Sequence, residues 1–308
     1  MSNARSAWHP QREIAIVAGT PPGGGLDRSA RALMKVIESQ KLLDVPVKVT
    51  NVAGDGGRKA WTYLDRYSGD PHVLSISSPN LTTDNLTGKT TFDHDSYTPL
   101  ATLYNEYIAF VARADSALKC GADLIERLGA KSASVKFALS TSLGNPNHIA
   151  LAKVVRHAGG DARALKLRVF DSARDAVGDV MAGNADVCAV TAASAVPELA
   201  AGTMRTLAVS APERLSGLFE RAPIWMEQGI DCVIGAWRGV NGASGLAPEQ
   251  IAYWDGILLA ATSSAEWNAQ LAQYYWTRMY RSGAGLREYL QRERAQLSAG
   301  LAELGMLQ

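Results

Sequence analysis

Short apolar segments rich in β-branched residues alternate with amphipathic helical segments along this chain, and this alternation is the feature that most constrains its fold. The strand candidates are the segments 13–18, 45–52, 73–77, 107–113, 135–140, 165–170, 185–191 and 204–210. Several of them are nearly continuous apolar runs, which is typical of strands that are buried on both faces of a parallel sheet.

The segments between the strand candidates have the apolar periodicity of helices. In the segment 27–40, the apolar residues that share one face are Ala30, Leu33, Met34 and Ile37. A second stripe with helical spacing runs through the segment 172–182. Strands that alternate with helices of this length predict an α/β fold with mostly parallel sheets.

The order of these elements predicts two sheets and therefore two domains. The first sheet covers about residues 11–112 and ends with the strand 107–113, and the second covers residues 113–234. The C-terminal part, 235–308, is predicted to be mostly helical and to complete the first domain. Its helix candidates are 248–261, 265–275 and 286–304. A length of 308 residues agrees with about two domains.

Charge and motif content exclude several classes of function. Lys and Arg total 31 against 30 Asp and Glu, so no strongly basic surface for nucleic acid is expected. No apolar run approaches the ~20 residues of a membrane helix. The chain lacks the motifs HExxH and GxSxG, and we interpret the segment 93–95 (DHD) as a solvated turn. We therefore predict no catalytic residue, no metal site and no cofactor.

The three cysteines leave one question open. Cys120, Cys188 and Cys232 lie far apart without CxxC spacing, which argues against a zinc site made of cysteines. One disulfide among them remains compatible with the sequence. The compartment therefore does not follow from cysteine usage.

Two glycine-rich loops each follow a strand candidate and precede a helix. They are the segments 18–27 (AGTPPGGGLD) and 51–57 (NVAGDGG). Glycines let the backbone approach a ligand closely, and the N-terminus of the following helix favours negative charge. We expect Asp27 to cap the first of these helices. Two such loops in one sheet predict an anion-binding face, although each can also be a plain connection.

Polar loops follow other strands of both predicted sheets. The segment 77–80 (SSPN) follows a strand of the first sheet, and the segments 140–148, 171–172 and 191–194 follow strands of the second. Ligands of open α/β sheets bind beyond the carboxyl ends of strands. Loops of the two sheets that face each other across a cleft would enclose a small polar ligand.

Several of these segments resemble one known family. The segment 21–27 (PPGGGLD) is similar to the PPGGGTD segment of the periplasmic solute receptors of tripartite tricarboxylate transporters, the Bug family. Further similarities, in chain order, are 51–57 to NRPGAGG, 97–101 (YTPLA) to FxPV[AS], 137–148 to FGSSGxGSxxH, 183–187 (GNADV) to GQVDV and 200–209 to KAGKLRALAV. The order of these segments makes the resemblance specific.

The resemblance implies a two-domain type II periplasmic-binding-protein fold with a hinge and with the ligand cleft between the domains. It also implies that small carboxylates bind through backbone N–H groups and ordered waters. By this likeness, the first wall of the cleft contains Gly24, Gly25, Asp27, Ala53, Gly54 and Ser78. The second wall contains Ser140, Thr141, Asn145, His148, Thr191 and Ser194.

The chain departs from the family pattern at positions near the expected cleft. Thr20 replaces the usual Phe before the two prolines, and Asp55 adds a carboxylate to the second glycine loop. Asp171 stands where the family has a PYKG segment. We therefore add Thr20 and Asp171 to the candidate ligand-binding residues. Asp55 or Asp171 would favour an amino-acid-like ligand that carries an amine.

The resulting hypothesis is a non-enzymatic, monomeric, periplasmic receptor that captures a small carboxylate and delivers it to the permease subunits of a tripartite tricarboxylate transporter. The N-terminus shows no signal peptide, and Ser2-Asn3-Ala4 looks like a cloning remnant. One alternative is a ligand sensor or docking protein that does not take part in transport. Another is an α/β hydrolase or transferase that uses Ser140, His148 or Asp171.

Overall fold

The computed structural model describes residues 8–131 and 134–308. The segment Ser2-Asn3-Ala4 lies outside the described residues. Within them the chain forms two α/β domains, each built around one sheet.

The strands form a six-stranded and a five-stranded sheet. In chain order they are β1 (Ile14–Ala18), β2 (Val47–Asn51), β3 (Val73–Ser77), β4 (Thr98–Asn105), β5 (Ile108–Arg113), β6 (Lys136–Ser140), β7 (Lys166–Phe170), β8 (Val187–Thr191), β9 (Met204–Val209), β10 (Arg238–Gly242) and β11 (Thr277–Ser282). The first sheet has the order β11-β4-β10-β3-β1-β2, and the second has the order β7-β6-β8-β5-β9.

Helices cover the faces of both sheets. In chain order they are α1 (Gly25–Ser39), α2 (Arg58–Asp65), α3 (Asn80–Leu86), α4 (Gly121–Lys131), α5 (Pro146–His157), α6 (Ala173–Met181), α7 (Val196–Ala200), α8 (Pro248–Ser263), α9 (Ala265–Tyr274) and α10 (Gly283–Glu303). Pro248 occupies the first turn of α8, and the Ser264 hydroxyl accepts the N–H of Trp267 to cap α9, as their residue types predict.

Both sheets are mixed, so the expectation of mostly parallel strands is too strong. In each sheet three neighbouring strands run parallel: β2, β1 and β3 in the first, and β7, β6 and β8 in the second. The remaining strands pair antiparallel with their neighbours. The parallel triplets are important for function because their carboxyl ends meet at one edge of each sheet.

The strand β5 belongs to the second sheet, where it pairs with β8 and β9, and not to the first sheet as predicted. The chain crosses between the sheets after β4 and returns before β10. Ala236 donates its backbone N–H to Glu106 O at 2.7 Å, and Tyr107 and Gly235 form an antiparallel bridge. The two crossings thus lie side by side. We propose them as the domain boundaries, near residues 106 and 236.

Three strands were not predicted, and their composition explains why. The strand β10 contains two glycines and an asparagine, which are uncommon in strands. Gly239 is required there, because a Cβ atom would lie 2.5 Å from Ala101 O on the neighbouring strand β4. The strand β4 contains Pro99, which argued against a strand. The strand β11 lies at the sheet edge and is largely exposed.

The helix α10 packs against both domains. Leu286 and Leu290 in its first half pack with Trp237 of the first domain. Leu297 and Leu301 in its second half join the apolar core of the second domain. The sequence assigned the whole segment 235–308 to the first domain. The last turns of α10, however, pack in the core of the second domain.

The described part of the chain contains no helix that is long and apolar enough to cross a membrane. All three cysteines are free thiols, and Cys188 and Cys232 are buried. His94, which the sequence placed in a solvated turn, is buried and packs on the ring of Trp237 with the centroids 5.6 Å apart.

Candidate ligand-binding site

A narrow cavity lies between the two domains, where the parallel triplets of both sheets end. Its position at the carboxyl ends of the parallel strands is the usual place of a ligand site in such sheets. Residues from both domains line the cavity: Thr20, Gly25, Leu26, Gly56, Ser78, Asn80, Ser140, Thr141, Asn145, Pro146, Asn147, Ser172, Ala173, Thr191, Ser194, Ala236 and Arg238.

The cavity brings together part of the predicted site. The predicted residues that line it are Thr20, Gly25, Ser78, Ser140, Thr141, Asn145, Thr191 and Ser194. The predicted residues that lie outside its lining are Gly24, Asp27, Ala53, Gly54, His148 and Asp171. Within the second group, Asp27 and His148 hydrogen-bond to the loops that the first group presents.

The loop after β1 is held in place by Asp27. This residue is not the N-cap of α1, which is Gly24, but lies within its first turn. Its carboxylate accepts hydrogen bonds from the backbone N–H of Gly23 and from the side chains of Arg31 and Asn51, at 2.8–2.9 Å. Burial opposes the charge, but these hydrogen bonds outweigh it and lower the pKa of Asp27. The carboxylate oxygens of Asp27 are therefore occupied by hydrogen bonds from within the protein.

The helix α1 begins at the cavity, so its N-terminus faces the ligand space. Gly25 and Leu26 line the cavity, and the Thr20 hydroxyl accepts the N–H of Asp27 at 3.1 Å. The first N–H groups of a helix have no acceptor within the helix and favour an anion. The structure thus places the start of this helix at the cavity, and anion binding by the loop stays a prediction.

The second glycine loop contributes a different residue from those predicted. Gly54 has φ +122° and ψ 157°, a conformation open to glycine, and a Cβ atom there would meet the Lys59 side chain at 2.9 Å. Gly56 lines the cavity instead. It lies against the second domain, because its Cβ position is 3.2 Å from Thr141 O.

Hydroxyl and amide groups form the wall of the second domain. The Asn145 side chain accepts the N–H of His148 at 3.1 Å and donates to Ser140 O at 2.7 Å. Asn147 donates to Ser140 Oγ at 3.0 Å, and the hydroxyls of Thr191 and Ser194 are 3.0 Å apart. The helices α5 and α6 also begin at this wall.

His148 stabilises the loop from behind. It is 4% exposed, and its Nδ1 atom accepts the backbone N–H of Gly144 at 3.0 Å. Burial lowers its pKa to about 4, with a smaller contribution from Lys89. His148 is therefore neutral at physiological pH and does not present a charge to the cavity.

The acidic residues that suggested an amine on the ligand do not face the cavity. Asp171 and Asp55 are exposed, and neither lines the cavity. The next residue after Asp171, Ser172, lines it instead and caps α6 by accepting the N–H of Asp175 at 3.1 Å. In extended backbone, adjacent side chains point in opposite directions, which explains why the prediction was wrong by one residue.

Arg238 is the charged side chain among the described residues that line the cavity, and the sequence reasoning missed it. It is 8% exposed and begins β10, beside the end of β3. Glu106 lies beside it, with Oε2 at 3.8 Å from Arg238 Nη2. The available signal was a single arginine directly after Trp237 in a weakly polar segment. Arg238 lines the cavity together with the N-termini of α1, α5 and α6, and these groups favour a negatively charged ligand.

Hydrogen bonds join the two walls at the rim of the cavity. Asn80 of the first domain donates to Thr141 Oγ1 at 3.0 Å, and Ser142 donates to Asp84 Oδ1 at 3.0 Å. Thr141 has φ +69°, which is unfavourable for a β-branched residue. The contacts from the first domain help to hold it in this conformation.

The described residues do not bring three or more His, Cys, Asp or Glu side chains together in a way that could hold a metal ion. The cavity itself is lined by hydroxyls, amides, backbone groups and one guanidinium. These are groups that donate hydrogen bonds to a negatively charged or polar ligand.

Comparisons with known proteins agree with this arrangement. BugT of Bordetella pertussis is 24% identical over 250 residues, which are 79% of this chain and 74% of BugT. MatC from Rhodopseudomonas palustris, solved with bound malate, has a TM-score of 0.82 at 20% identity and covers 95% of this chain and 99% of its own. Rpa4515 from the same organism, solved with adipate, has a TM-score of 0.87 at 19% identity and covers 96% of this chain and 98% of its own.

These structural likenesses confirm the two-domain periplasmic-binding-protein fold. The family described as "Tripartite tricarboxylate transporter family receptor" (TctC) matches residues 30–295. This match covers most of the chain and both walls of the cavity, apart from the loop around Thr20 and Gly25. The chain therefore belongs to the receptor family of the tripartite tricarboxylate transporters.

Proposed function

We propose that this chain is an extracytoplasmic receptor that captures a small carboxylate between its two domains and delivers it to the membrane permease of a tripartite tricarboxylate transporter. The observation that carries this proposal is the cavity between the domains. Among the described residues, Arg238 is the charged side chain that lines it. The binding of malate to MatC and of adipate to Rpa4515 supports the same ligand class.

The ligand we propose carries a carboxylate and needs no amine. No carboxylate side chain is among the described residues that line the cavity, so an ammonium group would find no charged partner there. Glu106 does not line the cavity: its Oε2 atom is 3.8 Å from Arg238 Nη2, and its Oε1 atom accepts the N–H of Ala193 at 3.1 Å. This arrangement favours organic acids over amino acids.

The cavity does not support an enzymatic alternative. Ser140 Oγ is bonded to Asn147, and His148 Nδ1 is bonded to Gly144 N. A serine nucleophile needs a base within hydrogen-bond reach, and neither contact provides one. We propose instead a receptor in which ligand binding shifts the equilibrium between open and closed domains, and we propose that it acts as a monomer.

Mass spectrometry of small molecules released from the purified protein, followed by calorimetry, tests this proposal. Malate, succinate, adipate and citrate form the acid panel, and aspartate and glutamate form the amino-acid panel. We expect one-site binding of at least one organic acid, with a stabilisation of about 2.7 kcal/mol at 100 times its dissociation constant. An absence of binding across the acid panel would contradict the proposal.

A further inference from the structure

The guanidinium of Arg238 is held by one of its nitrogens only. Nη1 donates to two backbone carbonyls, Ala236 O at 2.8 Å and Trp237 O at 3.0 Å. Nε is buried and has no hydrogen-bond partner. Nη2 is 3.8 Å from the nearest carboxylate oxygen, on Glu106, which is beyond hydrogen-bond distance. The edge formed by Nε and Nη2 therefore makes no hydrogen bond within the described part of the chain.

This free edge matches the geometry of a carboxylate. A guanidinium presents its N–H groups in a plane, and two parallel donors on one edge bind both oxygens of a carboxylate. Leaving a buried N–H without an acceptor costs free energy, and this cost is largest for charged groups. The edge therefore needs an acceptor, and the side chain that carries it lines the cavity.

A second donor lies next to the same edge. A Cβ atom at Gly25 would be 3.6 Å from Arg238 Nη2, so the N-terminus of α1 and the guanidinium are neighbours. The 15-residue helix α1 directs its first N–H groups and the positive end of its dipole toward this point. The absence of a side chain at position 25 keeps the space between them open.

We infer that Arg238 determines the carboxylate specificity of the receptor: one ligand carboxylate binds side-on to Nε and Nη2, between the guanidinium and the N-terminus of α1. This inference rests on the proposed function. It names the atoms of the protein that recognise the acid. It also places one carboxylate of the ligand against the first domain. The hydroxyls and amides of the second domain then contact the remainder of the ligand.

Glu106 lies near the same guanidinium but is not hydrogen-bonded to it, because its Oε2 atom is 3.8 Å from Nη2. Glu106 is 1% exposed, and its Oε1 atom accepts the N–H of Ala193 in the second domain. Its backbone oxygen accepts the N–H of Ala236, two residues before Arg238 on the other crossing. Glu106 therefore balances part of the buried positive charge and acts as a positioning residue.

Calorimetry with Arg238→Gln and Arg238→Lys tests the inference. The probe is whichever acid of the panel binds the parent protein most tightly, together with the uncharged form of the same acid in which every carboxylate is an amide (the diamide, for a dicarboxylate). We expect Arg238→Gln to lose at least 100-fold in affinity for the acid. Arg238→Lys should lose about tenfold, because an ammonium lacks two parallel donors. Arg174→Gln is the control, since Arg174 is exposed and its Nη1 is 3.9 Å from the Cβ position of Gly23.

The outcomes separate the two proposals. If the parent binds an acid and Arg238→Gln binds it within threefold of the parent, the role of Arg238 is wrong while the receptor function stands. If the parent binds no acid of the panel, both proposals are wrong. If Arg238→Gln does not fold by circular dichroism, Arg238→Lys decides: affinity within threefold of the parent overturns the inference, and a selective tenfold loss supports it.

The diamide provides a readout that a purely structural role would not change. The diamide carries no carboxylate, so it cannot form the ionic contact with Arg238, and the parent should bind it at least 100-fold more weakly than the acid. In Arg238→Gln the ratio between acid and diamide should fall at least tenfold, because the acid loses its ionic partner while the diamide had none. An unchanged ratio in this variant would overturn the inference.

Discussion

Ser142 of the second domain donates its hydroxyl to Asp84 Oδ1 of the first domain, at 3.0 Å, and joins the two walls of the cavity. Asp84 is fully buried and also accepts from Arg58 at 3.0 Å. Neither Ser142 nor Asp84 lines the cavity. This contact is therefore part of the closed arrangement without being part of the ligand contact surface.

Ser142→Ala should weaken ligand binding by about tenfold, which is the low end of the about 1.5–3 kcal/mol that a hydrogen bond to a charged group typically contributes, because Asp84 keeps its other partners. The measurement is the dissociation constant of the tightest acid by calorimetry. Ser216→Ala is the control, since Ser216 is exposed and lies outside the cavity lining. Equal affinity of Ser142→Ala and the parent would show that the contact does not favour closure.

Gly54→Ala should destabilise the fold by about 1–3 kcal/mol, because φ +122° is unfavourable for any residue with a Cβ atom and the new atom would meet Lys59. Chemical denaturation measures the free energy of unfolding. Gly256→Ala is the matched control: Gly256 lies within α8 with open space at its Cβ position, so the same substitution should stabilise by about 0.5–1 kcal/mol. Similar effects of both substitutions would contradict the strain at Gly54.

His94→Phe should reduce the loss of stability in acid. Burial lowers the pKa of His94 to about 4, while in the unfolded chain it titrates near 6.5. Between pH 7 and pH 5 the unfolded chain binds a proton that the folded chain does not, so the parent loses about 2 kcal/mol from this residue. Phe removes this loss and fits the same space, because both ring nitrogens of His94 have no hydrogen-bond partner.

The measurement for His94→Phe is the free energy of unfolding at pH 7 and pH 5, compared with the parent. His157→Phe is the control, since His157 is exposed at the end of α5. If His94→Phe and the parent lose the same stability over this range, His94 is not the neutral buried group described here.

Glu293→Gln should have the opposite pH signature. Burial raises the pKa of Glu293 to about 8, against a hydrogen bond from Trp237 that lowers it. Between pH 5 and pH 8 the unfolded chain releases a proton that the folded chain keeps, so the parent loses about 3 kcal/mol of stability as the pH rises. Gln keeps an acceptor for Trp237 and does not titrate.

We therefore expect Glu293→Gln to match the parent at pH 5 and to exceed its stability at pH 8. Denaturation at both pH values measures this difference. Glu288→Gln, on an exposed position of the same helix, serves as the control. A constant difference between Glu293→Gln and the parent at both pH values would rule out a protonated Glu293 in the native state.

The walls of the cavity could be predicted from sequence because they are built from local signals. A glycine or a hydroxyl at the end of an apolar run marks the carboxyl end of a strand. Ser140 and Thr191 are the last residues of their strands, and Ser78 and Thr20 follow theirs within two residues. Within each loop, however, the sequence does not reveal which of two neighbouring residues turns toward the cleft. The direction is set by the loop conformation, which depends on long-range contacts.

Arg238 could not be predicted from local sequence signals, and the reason is different. It reaches the cavity because β10 inserts between β3 and β4, a pairing between segments about 140 and 160 residues apart in the chain. No local periodicity encodes such a pairing, and the glycines of β10 conceal the strand. The strand placement of β5 was wrong for a related reason: a short crossing without Gly or Pro marks no boundary.

The packing of α10 against both domains limits how the receptor can open. Two adjacent crossing segments would by themselves allow bending and twisting of one domain against the other. A rigid helix of 21 residues that is anchored at Leu286 in one domain and at Leu301 in the other removes most of these degrees of freedom. Any motion that separates α10 from the second domain exposes Leu297 and Leu301, at about 1.5–3 kcal/mol each. The accessible path is a rotation about an axis that passes close to the crossings and α10, so entry and release of the ligand occur at the opposite rim.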